Sequence, residues 1–494
     1  MATYDYDVGI IGGGAAGLTV ASGSAQLGAR TLIVEKEREL GGDCLHYGCV
    51  PSKTLIRSAQ IYHLMKNTTA FGLPNITIPP VNFQNISHRI QSVIHVIQKH
   101  DSVERFCRIG AKVVFGEPWF LDPHTIEIKG STYSAQKWVI ATGSSPSVPP
   151  VPGLRETPHI TNKEIFYLNH LPKNLIIFGA GPIGIEMAQA FGRLGSKVCV
   201  IDRAEQILIK EDKDMADAVM NVLKTEGVEF HLGVVILEVK SSGEKKEVLL
   251  ADSEGKTSRV EGDTIFVAMG RVPNTAGIGL EEIGVELEKC AVKVDSRMRS
   301  NLKHIFAAGD VNGAYQFTHA AGYEAGIVLS NAVFRLPKTA DYSNLPWCTY
   351  TKPEFANIGM NEKSAQAAGI TYTVWTEEFK DNDRSVAEGE QNGIIKMLLN
   401  EKEKPIGVQI FGIYAGELVN EWVAVMNGKI KISTLASAIH PYPTIGEINK
   451  RIAGNYLSTK IFSETVKKGL KFFFSLKGRA CDAEKIKTQD PLLD

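Results

Sequence analysis

Charge of either sign is not in excess in this chain: 54 Lys and Arg stand against 55 Asp and Glu, for a formal net charge of -1. No overall field draws polyanions, so composition offers nothing to a nucleic-acid partner. Long hydrophobic runs are equally scarce, and Leu175 to Phe178 falls far short of the ~20 apolar residues that cross a bilayer. Cysteine is sparse and scattered, seven in 494 residues, which is not the framework of a secreted disulfide-stapled fold. The opening Met1-Ala2-Thr3-Tyr4-Asp5-Tyr6-Asp7 lacks the basic stretch and apolar core of a secretory leader, so a cytoplasmic, reducing compartment is expected. There a close cysteine pair is expected to be catalytic or metal-binding.

What is present is a large chain of ordinary globular composition, 44% hydrophobic and 22% charged, long enough for about three domains. It opens with a strand over Asp7 to Ile11, a glycine-rich turn, an alanine-rich helix and a strand over Thr31 to Val34. Ile86, Ile90, Val93, Ile94 and Ile97 recur at helical spacing, and 112–115, 125–128 and 138–141 read as strands. After a proline-rich connector at Pro146 to Pro152 the opening pattern returns, with strands at 174–178 and 197–201. A further strand, 305–308, ends in glycine and an acid. A different composition follows Asp341, with a long helix at 416–427, and a basic, aromatic tail closes the chain.

Gly12-Gly13-Gly14-Ala15-Ala16-Gly17 fits GxGxxG between strand and helix, with Gly12, Gly14 and Gly17 at the glycine positions. Such glycines let backbone amides approach a pyrophosphate at the helix N-terminus. Glu35 ends the next strand, at the separation that suits a ribose-binding carboxylate. Gly179, Gly181 and Gly184 repeat the pattern, and Asp202 lies at the same offset as Glu35: 35 − 12 and 202 − 179 are both 23. One copy alone could be a turn that packs a helix on a sheet; two copies point to two dinucleotides, and hydride exchange between nicotinamide and flavin joins two dinucleotides. Asp202 favours NAD over NADP by repelling a 2′-phosphate, and Arg203 beside it leaves NADP open.

Cys44 and Cys49 flank Leu45-His46-Tyr47-Gly48 and precede Val50-Pro51-Ser52-Lys53. On a regular helix the rise between them is about 7.5 Å, beyond the roughly 7 Å a disulfide tolerates. A bridge therefore requires a distorted first turn, and Gly41, Gly42 and Gly48 supply the freedom for it. A helix N-terminus and Lys53 favour the thiolate. Two unlinked buried cysteines remain the plain alternative; no second ligand pair at metal spacing accompanies them, so no metal site is expected. Cys107, Cys199, Cys290 and Cys348 stand alone.

The two fingerprints, the cysteine motif and the segment order resemble the class I pyridine nucleotide-disulfide oxidoreductases, over about residues 5 to 455. Ala141-Thr142-Gly143, Gly270-Arg271 and Ala307-Ala308-Gly309-Asp310 are similar to family segments. The resemblance implies an α/β fold of two Rossmann-like dinucleotide-binding domains, the NAD domain inserted in the FAD domain, plus an α+β dimerisation domain. Its implied boundaries are 1–160 and 289–345 for FAD, 161–288 for NAD(P), 346–462 for dimerisation and 463–494 for the tail. It implies FAD bound near Ala141, Thr142, Gly143, Gly270, Arg271, Asp310 and Thr318, Lys53 paired with Glu186 beside the flavin, Cys49 facing the flavin and Cys44 meeting substrate. NADH would reduce FAD, and FAD the disulfide, in a homodimer.

Family members that reduce disulfides carry a histidine five residues before a glutamate, supplied by the partner subunit. Here His440-Pro441-Tyr442-Pro443-Thr444-Ile445-Gly446-Glu447 places Tyr442 at that position, with His440 two residues earlier and Glu447 in register. Tyrosine shuttles protons poorly near neutral pH, and mercuric reductases resemble this chain in having tyrosine there. Their adjacent C-terminal cysteine pair has a single counterpart, Cys481. The expectation is a small-molecule or metal-ion substrate, with mercuric reductase-like activity ahead of dihydrolipoyl dehydrogenase and of a low-turnover flavin-binding scaffold. The tail could lie on a membrane surface; packing against the partner subunit is preferred.

Overall fold

In the computed structural model, which describes residues 3–243, 245–478 and 480, the opening strand Tyr6–Ile11 is buried from Val8 onward. A parallel strand covered on both faces reads as a continuous apolar run, as this one does. It pairs in parallel with Thr31–Glu35, Gly9 facing Leu32, and with Ser131–Ile140, Ile11 facing Ile140. Ala111–Phe115 extends the sheet on one side, and Ile305–Ala307 joins it beside Trp138 to Ile140. Gly9 is required because a β-carbon there would come within 2.3 Å of the indole of Trp138, which is wholly buried.

The strand expected at 138–141 starts earlier, at Ser131, because its first half closes a hairpin with Thr125–Ile128. Lys129 and Gly130, both at positive φ (50° and 79°), form the two-residue turn whose twist matches paired strands. Lys-Gly is not the usual sequence for such a turn, so the residues themselves do not announce the hairpin.

The second unit is a parallel sheet ordered Glu229–Leu232, Lys197–Asp202, Asn174–Phe178, Thr264–Val267. Helices Pro182–Leu194 and Lys213–Thr225 cover one face, where Val198 and Val200 point. A three-stranded antiparallel sheet, Val235–Ser242, Lys245–Ala251 and Thr257–Gly262, contributes Val239, Val248 and Leu250 to a core with Ile176, Cys199 and Ile201 on the other.

The C-terminal unit is an antiparallel sheet of five strands, Pro346–Thr349, Glu354–Gly359, Pro405–Gly412, Ile394–Asn400 and Tyr372–Glu378 in spatial order. Helices Ala415–Asn427 and Glu447–Ile461 meet around Trp422, whose indole N–H donates to Asn449 at 2.8 Å. Lys396, 2% exposed in its side chain, ties this unit to the second one through Asp212 (3.3 Å), Asp214 (2.6 Å) and its own neighbour Glu362 (2.9 Å). The helix Glu464–Phe474 is capped by Ser463 and buries no residue; Phe472, Phe473 and Phe474 are at least 70% exposed. No described helix is long and apolar enough to cross a membrane. Cys481 lies outside the described residues.

Glu211 sits at the same interdomain seam, accepting from the Trp347 indole at 2.7 Å and from Gln409 at 3.3 Å. Burial pushes its carboxyl up to about 7, with Asp212 adding to the shift. Between the unfolded value near 4.5 and 7 the folded chain keeps a proton that the unfolded chain has lost, so stability falls as pH rises through that window. Glu211→Gln is expected to abolish this slope, which amounts to on the order of 3 kcal/mol between pH 5 and 8. Gln409 Oε1, buried without a partner, can turn to accept from the new amide. The pH dependence of the thermal midpoint of both proteins checks this; parallel curves would refute it.

Candidate functional site

The two glycine loops are built alike. Gly12 and Gly179 both lie at positive φ (109° and 106°), and a β-carbon on either would meet the carbonyl oxygen of Ala141 or Ala268 at 2.2 and 2.4 Å. Gly17 and Gly184 stand over the carbonyls of Gly12 and Gly179, which a β-carbon would approach to 1.9 and 2.0 Å. Each loop is thus held against the next strand and under its own helix. The helix starts at Gly14 and Gly181 carry no side-chain cap, which leaves their amides for an anion. Glu35 accepts from the Gly13 amide at 2.6 Å and the Glu37 amide at 2.8 Å; Asp202 accepts from Ala180 at 2.6 Å and Ala204 at 2.8 Å.

The cysteine segment rests on the first loop. Gly41 donates its amide to the Gly13 carbonyl at 2.8 Å, and Gly42, at φ 60°, packs so close to Gly14 that a β-carbon would reach its Cα at 2.7 Å. The expected single helix with a distorted first turn is instead two helices. Gly42–His46 carries Cys44, Cys49–Lys66 begins with Cys49, and the chain breaks direction at Tyr47 and Gly48. Gly48 makes the break possible: it lies against Asp43, whose carbonyl a β-carbon would meet at 3.0 Å. This hinge sets the two thiols beside each other, near enough that each shifts the other's acidity.

The contact is asymmetric. The bond from Cys44 draws the Cys49 thiol down to about 6, helped by the Thr318 hydroxyl at 3.3 Å and the Lys53 charge, and opposed by burial and by Glu186. The same bond, then burial, pushes Cys44 up. Cys49 is therefore the more acidic of the two thiols, and Cys44 the one that holds its proton more firmly.

Lys53, one turn beyond Cys49, donates to Glu186 at 2.8 Å and lies 4.3 Å over the Tyr350 ring. Glu186 is held in turn by the Tyr350 amide at 2.9 Å. Asp310, at the end of strand Ile305–Ala307, accepts from Ser144 at 2.5 Å and lies 3.7 Å from Arg271, and burial pushes its carboxyl up. Arg271 also reaches Asp43 at 3.1 Å. Thr142 and Asn274 exchange hydrogen bonds (2.6 and 2.9 Å), so the two crossings between the dinucleotide units are clipped together. Around them Gly143 and Gly270 face open space, where a β-carbon would meet nothing within 4 Å.

The C-terminal candidates are not joined to one another. Tyr442, 70% exposed, donates its hydroxyl to Asp383 at 2.8 Å, which holds the phenol above its ordinary range. Glu447 accepts from the Thr444 amide at 3.4 Å. His440 pairs with Glu421 at 2.9 Å, on the helix Ala415–Asn427. Glu421, Ser144, Asp383 and Tyr350 were not expected as parts of the site, since no motif spacing links any of them to their partners.

Residues 6–325 match the family model described as pyridine nucleotide-disulphide oxidoreductase, and residues 345–452 match the dimerisation domain of the same family, which supports a homodimer. A mercuric reductase from Lysinibacillus sphaericus is 31% identical over 445 residues, 90% of this chain and 81% of that one. The mitochondrial dihydrolipoyl dehydrogenase of Schizosaccharomyces pombe is 31% identical over 464 residues, 90% of this chain and 89% of that one. Among solved structures, the Cu(II) complex of the HOCl-induced flavoprotein disulfide reductase RclA from Escherichia coli superimposes with a TM-score of 0.82 at 26% identity, covering 91% of this chain and 99% of that one. The fold of two dinucleotide units and an antiparallel third, together with these matches, makes the chain a member of the pyridine nucleotide-disulphide oxidoreductases, a family of enzymes that use FAD and NAD(P)H.

Proposed function

We propose that the chain passes electrons from NADH to a thiol-reactive metal ion of the mercuric class through the Cys44 and Cys49 pair. Both cofactors suit the residues present: two uncapped helix starts meet close-approach glycines, and Gly143 and Gly270 border open space. FAD would be held by Gly12, Gly14, Gly17, Glu35, Thr142, Gly143 and Asp310, and the nicotinamide dinucleotide by Gly179, Gly181, Gly184 and Asp202. Together they supply two-electron transfer to the sulfurs. Asp202, whose oxygens are fixed on two amides, favours NAD by repelling a 2′-phosphate.

The residues then divide the work. Cys49 keeps its proton off at neutral pH and Lys53, anchored by Glu186, stabilises that charge. Cys44, the protonated thiol, is the one that meets substrate. Ile439, 98% exposed, and Tyr442 stand on a segment suited to meet a second copy, where Tyr442 would face the partner's sulfurs.

The observation that carries this reading is the phenol at position 442, held protonated by Asp383 and apart from Glu447. Such a group cannot relay a proton near neutral pH, and a metal ion takes up thiolates without needing one. NADH oxidation by the holoenzyme with mercuric ion, lipoamide and oxidised glutathione tests it. Mercuric ion is expected to exceed both disulfides by about tenfold or more, and Tyr442→His to raise dihydrolipoamide oxidation by about 10²-fold, the low end for a positioned proton relay.

A second reading rests on the His440 to Glu421 pair, an imidazole and carboxylate two residues from Tyr442. If these serve as the relay, the wild type oxidises dihydrolipoamide with NAD well, and His440→Ala removes that activity. That pair of results would replace the metal-ion reading.

A further inference from the structure

Cys199 does not stand alone. It lies on strand Lys197–Asp202 directly opposite Glu229 of the neighbouring parallel strand, Glu229–Leu232. His231, two residues after Glu229, points to the same side of the sheet, because side chains along a strand alternate faces. The sulfur, one imidazole nitrogen and one carboxylate oxygen all lie within 4.8 Å of one another. None of the three groups takes part in a hydrogen bond or ion pair with a described residue, although Cys199 is only 8% exposed. The buried sulfur thus lies beneath a half-buried imidazole and an exposed carboxylate, three different ligand types within reach of one another at the edge of the sheet.

We propose that Cys199, Glu229 and His231 form a binding site for a divalent transition cation of the zinc type, outside the redox centre. Zinc takes sulfur at ≈ 2.3 Å and nitrogen or oxygen at about 2.0–2.2 Å, so tetrahedral ligand atoms sit about 3.3–3.8 Å apart. Rotation of the half-buried His231 and the exposed Glu229 closes the remaining distance, with no hydrogen bond to break. Coordination releases the Cys199 proton to solvent, and the charges of thiolate and carboxylate match the ion. Water fills the fourth position on the open side, beside Glu229. The mixed sulfur, nitrogen and oxygen set excludes calcium and magnesium, which take oxygen alone. A bound ion would cross-link the outer strand of the second sheet to the strand that ends in Asp202.

The test uses flavin-loaded full-length protein carrying Cys44→Ser and Cys49→Ser, so that the redox pair offers no competing thiolate. Titration of Zn²⁺ against a chromophoric chelator is expected to give one equivalent per chain, and zinc X-ray absorption one sulfur neighbour with the rest nitrogen or oxygen. Cys199→Ala and, separately, His231→Ala are each expected to weaken uptake at least tenfold. Should Cys199→Ala fail to fold, His231→Ala and Glu229→Gln decide, since neither residue is buried. Uptake that survives these substitutions, a shell with two or more sulfurs, or no uptake at all would overturn the site.

Discussion

Cys44→Ser is expected to lower turnover with every thiol-reactive acceptor by about 10³-fold or more, because the thiol proposed to meet substrate is gone. Flavin binding and reduction of the flavin by NADH should persist, since the glycine loops and Asp202 do not involve the sulfur. The variant also isolates Cys49. Its thiolate is then free beside the flavin site, and a long-wavelength absorption band is expected without added reductant. The wild type is expected to show the band only after anaerobic two-electron reduction, and Cys49→Ser at no stage. Because Cys49 in the pair is drawn down to about 6, the band of the reduced wild type should hold from pH 8 downward and fade as pH falls through about 6. Cys44→Ala also removes the bond that lowers Cys49 most, a bond that a serine hydroxyl would still donate, so the band of Cys44→Ala should fade at a higher pH. Turnover above a tenth of wild type in Cys44→Ser would strike the pair from the mechanism.

Gly17→Ala and Gly184→Ala should separate the two nucleotide sites. A β-carbon 1.9 Å from the Gly12 carbonyl oxygen cannot be accommodated without pushing the opening helix off its strand. Overpacking commonly costs about 1–3 kcal/mol, and a clash with backbone belongs at or above the top of that range. The Gly17→Ala protein is therefore expected to purify colourless or to lose flavin on dialysis. Gly184→Ala meets the Gly179 carbonyl at 2.0 Å but lies in the other unit. It should stay yellow and lose at least tenfold in apparent affinity for NADH. Equal flavin content with unchanged NADH affinity in both variants would refute the assignment of the loops.

Much of this arrangement can be read from sequence because glycine spacing encodes backbone geometry directly. Gly12 and Gly179 need positive φ, Gly17 and Gly184 need close contact, and no other residue type satisfies either demand. The pairing of Lys53 with Glu186 came from family resemblance, and the two residues are in contact. The break at Tyr47 and Gly48 was not legible, since glycine at 48 marks flexibility without saying whether one helix bends or two helices meet. Glu421 was hidden for a different reason: it faces His440 only because two helices and a loop pack together. Tertiary contacts of this kind leave no periodic trace. The Cys199 cluster is another, since its members come from adjacent strands rather than from one ligand-spaced segment.

The seam between Gly13 and Gly41, closed by one amide and one carbonyl with Gly42 lying on Gly14, makes the cysteine pair and the first glycine loop a single moving part. Sulfur spacing cannot drift without reshaping the cradle beneath it. Position 442, exposed on the C-terminal strand-and-helix unit and bonded to Asp383, lies apart from that seam, so one ring can be exchanged for another there without touching it.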